Sequence, residues 1–266
     1  MLSRRSFLGA GTLGAASIFV RPLGPPEYRF IQFHNQAVDS SLHRRLVEMW
    51  AAVRTETNGR IETEVFPENR GIQGSDPAAL RMLVAGEIQF FTQMGGILGN
   101  VVPSAEVQQV PFMFRSAAQA LKAMDGPLGA HVRNEMATRG IHGFRVGTFD
   151  NGMRQIACAT RPIVVPDDLA GLKMRVPDGA VFTEAFRALG ADPVVINVNQ
   201  IYDRLKAGTV HAQENPLAVV ELFKLYEVVR YVSMTNHMWS GFNLMAHLET
   251  WERLPAGLRS VVDRNA

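Results

Sequence analysis

The sequence contains a single cysteine, Cys158. That excludes an internal disulfide, a cysteine-ligated iron–sulfur cluster and a CxxC redox pair. Within "RQIACAT" the residue reads as a small buried hydrophobe. The seven histidines do not fall at ligand spacing, and no HExxH, Gly-rich phosphate loop or GxSxG elbow occurs. Charge of neither sign dominates, with 27 Lys and Arg against 25 Asp and Glu. Three of the basic residues, Arg4, Arg5 and Arg21, precede residue 27, which leaves 24 against 25 in the rest. That balance gives no footprint for nucleic acid or an anionic membrane surface. The apolar run from Phe7 to Val20 is too short and too rich in Gly and Ala for a transmembrane helix, so the chain is expected to have no membrane span of its own.

What is present is ordinary for a globular protein: 266 residues, 47% apolar and 20% charged, enough for one large domain or two modest ones. The start, "MLSRRSFLGAGTLGAASIFVR", joins two arginines to a small-residue apolar run. It has the form of an export signal over residues 1–26. Ser3-Arg4-Arg5-Ser6-Phe7-Leu8 is similar to the twin-arginine motif of the Tat route, which predicts a periplasmic protein. No cysteine near the end of the run offers a lipid anchor.

Past the leader, the pattern predicts a strand over Tyr28–Phe33 and a helix from Ser40 or Ser41. Leu42, Leu46, Met49, Trp50 and Val53 share one face of that helix, and Asn58-Gly59 stops it. "RIETEVF" alternates as a second strand, Ser75-Asp76-Pro77 starts a second helix, and "IQFFTQ" is a third strand. This β-α-β-α-β order predicts parallel sheet with helices on its faces. After an irregular stretch from Val101 to Phe114, "HGFRVGTF" reads as a strand that breaks at Asn151-Gly152. A second β/α series follows: "RQIACA", "LKMRV", a helix near 180–189, "PVVIN", a helix through Tyr202, "TVHA", and a helix from about Pro216. "YVSMT" and "GFNLMAH" then read as two strands, and the chain turns helical from Glu249. The expectation is an α/β protein of two lobes, 27–151 with 241–266 and 152–240, with a cleft between them that closes by hinge motion.

One short stretch points into that cleft. In "GLKMRVPDG", Leu172, Met174 and Val176 alternate with polar neighbours, and Pro177, Asp178 and Gly179 end the strand. Arg175 therefore sits at a strand's carboxyl end, where open α/β sheets hold their ligands. Alternatively it pairs with Asp168 or Asp178 across a turn.

The second half of the chain resembles the substrate-binding proteins of TRAP transporters, the tripartite ATP-independent periplasmic importers. The resemblance is carried, in order, by "GLKMRVP", "ALGADPV", "IYDRLKAGTVHAQENPL", "YEVVRYVSMTNH" and "LETWERLP", with weaker agreement at "GRIETEVFP", "VAGEIQF" and "VPFMF". It implies a two-lobed binding protein without cofactor, whose ligands are mostly organic carboxylates and whose partners are the membrane subunits of an ion-driven permease. By motif, Arg175 of "KMRVP" matches the main carboxylate anchor, Arg154 of "NGMRQ" a second pocket arginine, and Asn215 of "QENP" an asparagine beside the anchor. The chemistry agrees, since a guanidinium presents paired donors that match a carboxylate's two oxygens. Asn215 alternatively only caps the helix after Pro216.

Further candidates are weaker. Asp178, if it faces the cleft, repels a second carboxylate and suits a hydroxyl, an amine or a cation; otherwise it is a turn residue. His34 and Asn35 end the first strand and Gln93 and Met94 the third, where a facing lobe would touch ligand. Val198 stands where relatives place an aromatic, implying a wider or more aliphatic pocket. Trp239 either walls the cleft or sits in a core. The family's long C-terminal bracing helices are expected to be missing, since the sequence ends soon after "LETWERLP". An exported enzyme and a sensory receptor on a related fold are the competing readings.

Overall fold

The computed structural model describes residues 25–72 and 75–266. All but the last two residues of the expected export signal lie outside the described residues.

The first five elements are β1 (Tyr28–His34), α1 (Ser41–Glu56), β2 (Ile61–Phe66), α2 (Ser75–Ala85) and β3 (Phe90–Met94). Ser40 Oγ accepts from the His43 N–H at 3.1 Å and caps α1. Leu42, Leu46, Met49, Trp50 and Val53 form its buried face. Asn58 and Gly59, at φ 53° and 82°, turn the chain out of the helix. β1 lies parallel to both β2 and β3, as the alternating order predicts.

The chain continues through α3 (Gly95–Leu98), α4 (Ala117–Asp125), α5 (Pro127–Thr138), β4 (Ile141–Cys158), β5 (Lys173–Val176), α6 (Ala180–Ala188) and β6 (Asp192–Val195). α7 (Ile201–Lys206), β7 (Ala212–Pro216), α8 (Leu217–Leu222), β8 (Tyr231–His247), α9 (Leu248–Arg253) and α10 (Ala256–Asn265) follow. The strands form one sheet in the order β2-β1-β3-β8-β4-β7-β5-β6. It is mixed, because β8 runs antiparallel to β3 and β4, and β4 antiparallel to β7.

The sequence pattern divides β4 and β8 into two strands each, whereas each is one long strand of 18 and 17 residues. The break expected at Asn151-Gly152 is a bulge: the β4–β8 register shifts between Asp150 and Met153, and the Gly152 N–H donates to Asp150 Oδ1 at 2.9 Å. A bulge and a strand end look alike in sequence, because both are turn-forming residues between apolar runs. "QENP" lies in β7, whose five residues are all buried, and α8 starts directly after it at Leu217, where a helix from about Pro216 is expected.

The two halves meet closely beside these long strands. Met94 and Ile97 share a core with Phe182 and Phe186 of α6. Gly179 permits this approach, since a Cβ there would lie 2.5 Å from the Gly96 carbonyl oxygen. Gly179 brings no side-chain cap to α6, and Glu106 supplies one from the other half: its Oε1 accepts from the N–H groups of Ala180 at 3.0 Å and Val181 at 3.4 Å.

Candidate functional site

At the carboxyl end of β5 lies a cavity of about 180 Å³. One wall is the start of α2, with Asp76 and Pro77. The other carries Arg175, Pro177 and Asp178 from the end of β5 and Asn197 from beyond β6. Strand register places Arg175 beside Gln213 of β7 and Val194 of β6, which fixes its backbone in the middle of this half-sheet.

Arg175 is 2% exposed. Its Nε donates to the Ile196 carbonyl at 2.7 Å, and its Nη1 is buried with no hydrogen-bond partner. It pairs with neither Asp168 nor Asp178. Asp168 instead caps its own turn, accepting from the N–H groups of Val164 at 2.7 Å and Val165 at 3.0 Å. Burial lowers the Arg175 pKa to about 9, helped by the Arg154 charge and opposed by Glu214 and Asp76. The group is still a cation at neutral pH. A buried cationic donor without an acceptor is costly.

The second sequence-derived arginine is in a different condition. Arg154 and Glu214 lie diagonally across the β4–β7 pair, where Ile156 faces Glu214 and Arg154 faces Pro216. Arg154 Nε and Nη2 clasp both carboxylate oxygens of Glu214, the latter at 2.6 Å, and Nη2 also reaches the Glu214 carbonyl at 2.8 Å and Asn215 Oδ1 at 3.2 Å. Nη1 donates to Ser240 Oγ at 3.2 Å and lies 3.8 Å from the Met94 sulfur. Burial alone would raise the Glu214 pKa, but the Arg154 charge and hydrogen bonds from His237 and Arg154 hold it at about 2. Arg154 is thus committed to an internal ion pair. Asn215 belongs to the same network, its Nδ2 donating to Gln213 Oε1 at 2.6 Å.

Across the cavity Asp76, 3% exposed, is held by amides. Its Oδ1 accepts from Asn69 Nδ2 at 2.8 Å, and its Oδ2 from Asn35 Nδ2 at 3.2 Å and Asn197 Nδ2 at 3.4 Å. Burial raises its pKa, opposed by the surrounding amides, Asn35 first, and by the Arg175 charge. Asn35 also contacts Gln93 Oε1 at 3.4 Å, so both stand directly behind Asp76.

Of the ten residues singled out from the sequence, Arg175 and Asp178 line the cavity. Arg154, Asn215 and Met94 meet in the ion-pair network, and Asn35 and Gln93 support Asp76. The remaining three lie elsewhere. His34 turns toward α1: its Nδ1 accepts from the Gln36 N–H at 3.2 Å, so Nε2 carries the proton toward His43 Nδ1 at 2.9 Å. Burial, then the neighbouring His43, lowers its pKa to about 3. Val198 packs with Ile201 and Leu205 in a core of the second half, and Asn197, one residue earlier, faces the cavity instead. Trp239 is core: it folds over Gly241, where a Cβ would lie 2.0 Å from the ring, and donates to Asp150 Oδ1 at 2.9 Å.

Sequence reasoning missed Asp76, Asn197 and Glu214. Asp76 had a complete local explanation as a helix start. Glu214 carried a usable signal, being an acid inside the polar run "AQEN" of an otherwise apolar region. Among the described residues, no group of three or more His, Cys, Asp or Glu side chains gathers as a metal set, and no helix is long and apolar enough to cross a membrane.

The chain is 29% identical over 269 residues to the C4-dicarboxylate-binding periplasmic protein DctP of Rhodobacter capsulatus, covering 99% of this chain and 78% of that one. A TRAP periplasmic solute-binding protein of Sulfitobacter sp. NAS-14.1, solved with bound β-D-galacturonate, is 27% identical with a TM-score of 0.84, over 89% of this chain and 77% of that one. A TRAP periplasmic solute-binding protein of Roseobacter denitrificans, solved with bound L-galactonate, is also 27% identical with a TM-score of 0.84, over 91% and 79%. The chain spans between 38% and 78% of the length of the curated relatives it matches, and less than two thirds for most of them. The model of bacterial extracellular solute-binding protein family 7 matches residues 33–266. With that match along nearly all of the described residues, and with the two-lobed fold and strand-end cavity above, the chain belongs to bacterial extracellular solute-binding protein family 7.

Proposed function

We propose that the protein is an extracytoplasmic receptor that binds a small organic carboxylate and delivers it to the membrane subunits of a TRAP-type secondary transporter. The observation that carries this reading is the buried Arg175 Nη1, which has no partner at the edge of a cavity. A carboxylate entering there accepts the free guanidinium hydrogens, each charge-assisted bond contributing about 1.5–3 kcal/mol. Arg154 acts as a strut that orients β4 and β7, not as a second anchor. Asn215 passes that order on to Gln213, the register neighbour of Arg175.

Export to the periplasm by the Tat route, suggested by the leader, fits this role. We place the lobe division at Asn151 and near residue 240, where the bulge between Asp150 and Met153 supports a hinge. Asp76 of one lobe already meets Asn197 of the other at 3.4 Å, a contact that opening would break, which couples ligand to shape. Isothermal titration with organic acids tests the reading. The wild type should bind at least one acid, and Arg175→Ala should weaken it by about two to three decades. Undiminished binding by that variant would remove the anchor.

A further inference from the structure

We infer that the solute is a hydroxylated acid with one carboxylate, and that Asp76 sets the preference by rejecting a second. The inference rests on the carboxylate reading of Arg175. It comes from counting which groups around the cavity still lack a partner.

On the cationic side the count is one. Two guanidiniums are buried nearby, but Arg154 is clasped by both oxygens of Glu214 and further satisfied by Ser240. Arg175, 2% exposed, alone keeps a buried nitrogen without an acceptor. One free guanidinium matches one carboxylate.

On the other side the cavity presents acceptors. Asp76 is fixed by three neutral amides at 2.8, 3.2 and 3.4 Å and has no guanidinium or ammonium hydrogen-bonded to it. A carboxylate offers about four lone-pair directions, so Asp76 can accept one more donor. Asn197 points its Nδ2 at Asp76, which leaves its Oδ1 turned away. That oxygen is buried and has no partner. Asp178, half-buried on the rim, is a third acceptor. A ligand end that meets Asp76, Asp178 and Asn197 Oδ1 must therefore donate, as hydroxyls do. A second carboxylate there would face two acidic side chains and an amide oxygen. The cavity's volume, about 180 Å³, suits a short-chain acid.

The test uses two pairs of acids, each differing only in whether the far end is CH₂OH or a carboxylate: D-erythronate with meso-tartrate, and D-galactonate with galactarate. Each is titrated calorimetrically into the full chain at neutral pH, as wild type, Asp76→Asn and Arg175→Ala. Thermal unfolding confirms that each variant is folded. Wild type should prefer the monocarboxylate of whichever pair binds by at least about tenfold. Asp76→Asn should shrink that ratio at least about tenfold, weakening the monocarboxylate and strengthening the diacid. Arg175→Ala should lose both. A wild-type preference for the diacid, or equal affinity, overturns the inference and leaves the anchor standing. An unchanged ratio in folded Asp76→Asn overturns the role given to Asp76. If folded wild type binds none of the four acids, this inference falls, and the broader titration with organic acids decides separately whether the carboxylate reading stands.

Discussion

Two buried arginines on neighbouring parts of one sheet stand in opposite conditions. Around Arg154 every strong donor is met by Glu214, Asn215 or Ser240, and the region is a finished ion pair. Around Arg175 one bond to the Ile196 carbonyl is made and a buried nitrogen waits. Strand geometry sets them apart. Arg175 is level with Gln213, and Arg154 is diagonal to Glu214, the next residue of β7. Adjacent residues of a strand face opposite sides, so the only acid on β7 is delivered to Arg154 and withheld from Arg175. A buried arginine is thus paired or left with a free nitrogen according to where its carboxylate resides.

The largest effect that would break this contrast concerns the finished region. Arg154→Ala strands Glu214 in a dry network and should cost about 3–5 kcal/mol of folding stability, measured by urea unfolding. A loss below about 1 kcal/mol would mean the ion pair is not the strut described. The same substitution at Arg175 should act on binding instead, costing about two to three decades in affinity with the unliganded protein at least as stable as wild type. Equal loss of stability at both positions would erase the distinction.

Acid sharpens the contrast. The lowered pKa values of His34, about 3 against an ordinary 6.5, and of Glu214, about 2 against 4.5, mean that both resist protonation in the fold. Their stability is present above the ordinary values and is lost as pH falls toward the folded ones. The raised Asp76 pKa runs the other way, with stability present at low pH and lost as pH rises through it. His34→Gln should therefore flatten the wild-type decline between pH 6 and pH 4 by about 2–3 kcal/mol, since each pKa unit is worth about 1.4 kcal/mol. An identical slope in the two proteins would show that His34 is not buried neutral. The smallest effect belongs to the contact between halves. Glu106→Ala, which uncaps α6, should cost about 1 kcal/mol in thermal or urea unfolding.

Much of the fold was readable along the chain because its causes are local. The stripe from Leu42 to Val53, the Ser40 cap and the Asn58-Gly59 stop all act within a few residues, and α1 follows them. Arg175 at a strand's end was readable for the same reason, since Pro177 and Gly179 close that strand. β4 and β8 were misread as pairs of strands because continuity through a bulge is decided by the neighbouring strand. His34, Val198 and Trp239 each sat at a plausible position in sequence. What moved them away from the cavity was packing against α1, against Ile201 and Leu205, and over Gly241.

The sequence by itself determined the alternation of strands and helices, the family, and the placing of a lone guanidinium at a strand's carboxyl end. These rest on periodicity, turn residues and motif order, which need no knowledge of what lies across the sheet. The tertiary structure alone decided which arginine received Glu214, that Asp76 and Asn197 face Arg175 across a shared cavity, and that Glu106 caps a helix of the other half. Those are pairings between distant segments, fixed by strand register and by how closely the halves approach, and neither quantity is written in any local stretch of chain.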